Sequence, residues 1–80
     1  MGTVSDRTWS DILTRLRAQR PELVRPWFTA LEPVEMRSGV IDVRTPTQHQ
    51  HQYLVQQCQS AINQAAQHVT GRLVTVEFLP

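Results

Sequence analysis

At 80 residues and 9.2 kDa the chain has length for one domain, 1–80, and folding at this size hides only about 60–65% of the unfolded surface, which excludes a roomy catalytic cavity. Hydrophobic residues make up 40% and charged ones 19%, too apolar for disorder, and a net charge of +1 lacks the basic stripe of a dedicated duplex-DNA binder. The lone Cys58 excludes an internal disulfide and fits a reducing cytosol, while no apolar leader and no run near the ~20 residues of a membrane span is present, so the chain reads as cytoplasmic with no membrane partner.

Ser5 or Asp6 can cap a first helix, in which Trp9, Ile12, Leu13 and Leu16 share one face. Pro21 disfavours helix at Arg20, so this helix ends near Gln19. Leu23, Val24, Trp27, Phe28 and Leu31 form a second helical stripe that Pro26 keeps short or kinks, with Trp27 in the core. Val34–Arg37 and Val40–Arg44 flank Ser38-Gly39 as the arms of a β-hairpin, with Ile41 and Val43 facing inward and Val40, Asp42 and Arg44 outward.

Pro46-Thr47 opens a long third helix that carries Leu54, Cys58, Ala61, Ile62, Ala65 and Val69 at helical spacing and stops at Gly71. Leu73–Leu79 alternates as a third strand, with Val74, Val76 and Phe78 on one side. One helix between the second and third strands makes those two parallel. The expected fold is α+β, in the order ααββαβ, with a three-stranded sheet packed against helices.

From Thr45 through Gly71 there is no Asp, Glu, Lys or Arg, and the outer side of the third helix is read as Gln48, Gln50, Gln52, Gln56, Gln57, Gln59, Gln64 and Gln67. Such a face is either a solvated surface, since Gln is a good helix former, or a contact face that a partner can desolvate more easily than charge.

No constellation for chemistry emerges. His49 and His51 are two apart and point away from each other, whereas helical zinc ligands sit at i and i+3 or i+4. His49, His51 and His68 read as surface residues, and Cys58, inside the apolar stripe, behaves as a small hydrophobe. No phosphate-binding glycine motif and no carboxylate cluster is present, so the chain reads as a non-enzyme with no cofactor and no metal. Trp9 is either helix packing or, because Trp is enriched at binding hot spots, an interface anchor.

The run Trp9-x-x-Ile12-Leu13-x-x-Leu16, then Trp27-Phe28-x-x-Leu31, Gly39-Val40-Ile41-Asp42-Val43, Thr45-Pro46-Thr47, and finally Gly71 with Val74-Thr75-Val76-Glu77-Phe78, resembles the N-terminal domain of the bacterial replication initiator DnaA over nearly the whole chain. The resemblance implies a KH-like ααββαβ fold and a non-catalytic interaction module. Such a module self-associates, recruits the replicative helicase and receives regulators of initiation. Carried over by position, Trp9 matches the self-association Trp, and Glu22 lies near the acidic residue that contacts helicase, although this chain is one residue shorter between its two Trp. His49 stands where some members have a helicase-contacting aromatic, and Thr47 where they have Asn.

The expected partners are therefore the replicative helicase or an initiation regulator at Glu22, Thr47 and His49, and a second copy in a weak homodimer through Trp9. Replacing Trp9 by Ala is expected to dissociate that dimer and leave the fold intact. Single-stranded DNA is bound weakly at most, through Arg37 and Arg44, and is lost as salt rises. The alternatives are a KH-like single-stranded nucleic-acid binder, which here lacks the Gly-x-x-Gly clamp, and a small regulatory dimer unrelated to replication. Whether the chain is an excised domain or a stand-alone protein stays open.

Overall fold

A computed structural model describes residues 6–79. Helix α1 (Asp6–Gln19) leads into two short 3-10 turns, Pro21–Leu23 and Pro26–Ala30. Strands β1 (Glu32–Arg37) and β2 (Val40–Arg44) follow, then a helical run of α2 (Gln48–Tyr53), a π turn (Leu54–Cys58) and α3 (Gln59–Thr70), and strand β3 (Thr75–Leu79). The sheet order is β1-β2-β3, with β1 antiparallel and β3 parallel to β2. This is a small α+β domain in the order α-β-β-α-β, as expected except for the second helix, with α1 packed on α3 and α3 on β3.

The stripe of α1 is buried as its spacing requires, with Trp9, Ile12 and Leu16 in the core and Leu13 half-buried. The capping role of Ser5 or Asp6 falls outside the residues whose side chains are described. Where a second helix is expected, the two prolines divide the segment. Arg20 and Arg25 each precede a proline, whose ring disfavours α geometry in the residue before it, and neither is helical: Arg20 sits at φ −134, ψ 64 and Arg25 is extended at φ −120, ψ 153. Only the two 3-10 turns remain. Phe28 and Leu31 still reach the core, but Trp27 is half-buried rather than central.

Ser38 and Gly39 close the hairpin with φ of 49 and 80, the pair of positive angles that a type I′ turn demands. A Cβ at Gly39 would also make a tight 3.3 Å approach to the Leu73 carbonyl oxygen. Ile41 and Val43 face the helices and are fully buried. Asp42 points to the other face, yet its side chain is only 8% exposed, because Arg37 Nε donates to its Oδ2 at 3.0 Å. That outer face is polar, but this carboxylate is not free in water.

The third helical run starts where expected: Thr47 Oγ1 accepts from the Gln50 amide at 3.1 Å, and Gly71 ends it at φ 69. Leu54, Cys58, Ile62, Ala65 and Ala66 are buried along it. The π turn is the departure from a regular helix. Two helical turns take about 7.2 residues, whereas eight separate His51 from Gln59; the wide turn absorbs the surplus, so both side chains reach β3.

Candidate interaction surfaces

The segment carrying Glu22 is held against α2 by Tyr53. Its hydroxyl donates to the Leu23 carbonyl oxygen at 2.8 Å, and the Arg25 guanidinium lies 5.0 Å from the centre of its ring. Trp27 meets the same ring edge-on at 5.7 Å and Phe28 at 4.8 Å, so an aromatic chain runs from the core to this surface. Burial pushes the Tyr53 phenol above its ordinary range, and burial likewise pushes the neighbouring Cys58 thiol up, away from the reactive thiolate.

Tyr53 shares a shallow depression of about 190 Å³ with His49, Gln52, Gln56 and Gln57. Tyr53 thus meets the segment that follows Glu22 and lines the same depression as His49. Glu22 is exposed, and its carboxylate is held below its usual range first by the hydrogen bond from Arg20 Nε, 2.6 Å away. His49 is exposed as well. Thr47 stands two residues before it, with its hydroxyl oxygen committed to the helix cap. The sequence points to Glu22, Thr47 and His49 but not to Tyr53, which ties the Leu23–Arg25 segment to α2. The available signal was that Tyr53 is the one aromatic of the helical run and sits just beside the Leu54–Cys58 stripe.

Trp9 lies elsewhere. It is 5% exposed and lines an open groove of about 400 Å³ with Leu13, Phe28, Leu31 and Pro33, sharing no lining residue with the Tyr53 depression. The ring is a core residue, so the expectation that Trp9→Ala spares the fold is corrected. Its Nε1–H meets no acceptor among the described residues, and Glu32 stands on the rim.

His51 is not a surface bystander: its Nε2 lies 2.8 Å from the Phe78 carbonyl oxygen. Gln59 and Gln67 are not on a solvated face either, since both donate to carbonyls of β3. Arg37, expected to touch single-stranded DNA, is engaged by Asp42 and Glu35, and the bond to Asp42 raises its already high pKa further. Arg44 is exposed but faces a sheet surface that also presents Glu35 and Glu77. Among the described residues no group of three His, Cys, Asp or Glu side chains gathers to hold a metal ion, and no helix is long and apolar enough to cross a membrane. Comparison of the chain with family models, with curated proteins and with solved structures finds no match in any of the three.

Proposed function

We propose that this chain is a protein-interaction module of chromosomal replication initiation, like the N-terminal domain of the initiator DnaA that its sequence resembles. In this reading it binds the replicative helicase or an initiation regulator over the surface from Glu22 through Tyr53 to Thr47 and His49. The observation that supports the reading is the docking on Tyr53 of the Leu23–Arg25 segment, which follows directly on the exposed Glu22, while the same ring lines a depression with the exposed His49. An aromatic anchor ringed by polar groups is the composition of an interface hot spot. The amides of Gln52, Gln56 and Gln57 beside it impose no charge that a partner would have to neutralise.

Self-association has a separate place in this reading. With its ring in the core, Trp9 contributes through the floor of the groove, and the partner copy meets the half-buried Leu13 and the exposed Glu32 at its rim.

The test is a titration of the helicase with the parent and with Glu22→Ala and His49→Ala, both exposed positions at which folding is preserved. Each variant is expected to weaken binding about fivefold or more, the effect of losing a contributing interface side chain. Unchanged affinity in both variants removes this surface from the proposal, and no binding by the parent removes the helicase.

A further inference from the structure

The uncharged helix has a use that does not involve a partner. β3 is an edge strand, and its two edges are served differently. Thr75 donates its N–H to the Gly39 carbonyl oxygen at 2.9 Å and Leu79 accepts from the Thr45 amide at 3.1 Å, so these residues turn their backbone groups toward β2. Val74, Val76 and Phe78 then turn theirs away from the sheet, as strand alternation requires. Those outward groups meet side chains of the helical run. Gln67 Nε2 donates to the Val74 oxygen at 3.1 Å, and Gln59 Nε2 to the Val76 oxygen at 2.6 Å. Asn63 Oδ1 accepts from the Val76 N–H at 2.8 Å, and His51 Nε2 reaches the Phe78 oxygen at 2.8 Å.

Gln59, Asn63 and Gln67 are spaced by four and so fall on one stripe of α3. A strand edge offers donors and acceptors in turn, and a primary amide matches both, whereas an ammonium only donates and a carboxylate only accepts. The opposite edge of the sheet is protected by other means. β1 carries Pro33, which has no N–H, and an irregular register between Pro33 and Glu35. β3 has neither device, and its Val-Thr-Val-Glu-Phe run is of the kind that pairs readily. At a net charge of +1 there is little repulsion between copies.

We infer that Gln59, Asn63 and Gln67, with His51, form an edge guard that keeps β3 from pairing with β3 of a second copy of this chain. In a two-fold antiparallel pair centred on Val76, residue 75 of one copy lies opposite residue 77 of the other. Both positions are on the exposed face.

The inference is tested with Asn63→Ala and Gln67→Ala, singly and together, against Gln64→Ala, an exposed amide on the same helix outside the guard. In the Asn63→Ala protein the Val76 amide is expected to exchange with solvent about tenfold faster than in the control, because its acceptor is gone. Sedimentation equilibrium should show the double variant associating about tenfold more tightly than the parent. Adding Thr75→Glu should reverse that gain, since it sets like charges against Glu77 of the other copy. A folded double variant that associates no more than the parent overturns the inference, and so does association indifferent to Thr75→Glu, which would belong to another surface such as the Trp9 groove. Should the double variant not fold, the single variants decide: Val76 exchange in Asn63→Ala equal to that in the control overturns the guard.

Discussion

Tyr53 is the residue on which the proposed surface depends, and two substitutions separate what its hydroxyl does from what its ring does. Tyr53→Phe removes the 2.8 Å hydrogen bond to the Leu23 carbonyl oxygen and keeps the stacking. Among the described residues the oxygen is left with only the weak Cys58 Sγ contact at 4.0 Å, so the loss is that of one neutral bond at a half-buried site, about 0.5–1.5 kcal/mol. For a domain of this length each kcal/mol lowers the melting temperature by about 4–8 °C. Tyr53→Ala also discards the edge-on contact with Trp27 and the Arg25 contact, and the total rises to about 2–3 kcal/mol. Urea unfolding followed by Trp fluorescence reads both, with the slope expected to stay constant while the midpoint moves. Helicase titration of the folded variants should leave Tyr53→Phe near the parent and weaken Tyr53→Ala about fivefold or more, because the Glu22 segment then loses its seat. Equal destabilisation by Phe and Ala, or no shift of the midpoint by either, would refute the assignment of Tyr53 as the clamp.

Trp9→Ala should cost about 3–5 kcal/mol, a large part of a small domain's whole stability, whereas Trp9→Phe should cost far less because the indole N–H it removes has no described acceptor; thermal melts of the pair check this. Ser38→Asn should stabilise the hairpin by about 0.5 kcal/mol, since Asn tolerates the left-handed angle that Ser adopts at φ 49, and a rise in the urea midpoint reads it. The one tyrosine should ionise above the ordinary phenol value of about 10, followed by its absorbance. Burial favours its neutral form in the folded state, so its contribution to stability is complete below the ordinary value and is lost as pH rises through the raised one.

The elements legible in the sequence are those governed by local rules. α1 follows from the spacing of Trp9, Ile12 and Leu16 and stops where Pro21 forbids its predecessor a helical ψ. The hairpin follows from Ser38-Gly39, and β3 from its alternation. What stayed hidden depends on partners distant in the chain. Gln59 and Gln67 have the same local propensity as the exposed Gln56 and Gln64, and only the position of β3 distinguishes them. Alternation places Asp42 outward correctly, but its burial comes from Arg37 across the hairpin. The π turn left no mark either, because Leu54 and Cys58 are spaced by four as in any regular helix.

The two edges of the sheet bear on where any partner can bind. Strand addition is among the commonest ways for an interaction domain to capture a peptide, and it needs a free edge with alternating N–H and C=O groups. Here β1 lacks a donor at Pro33 and changes register before Glu35, while the outward carbonyls of β3 are occupied by Gln59, Gln67 and His51. The open face of the sheet is held by the Arg37, Glu35 and Asp42 pairings, which a partner would have to break before making bonds of its own. Side-chain surface outside the sheet stays open to recognition, including the Tyr53 depression that His49 lines and the groove floored by Trp9. In the proposed reading, substitutions that weaken a partner should cluster at residues 22–25 and from Thr47 through α2, and the amide stripe of α3 should affect binding only where its loss frees β3.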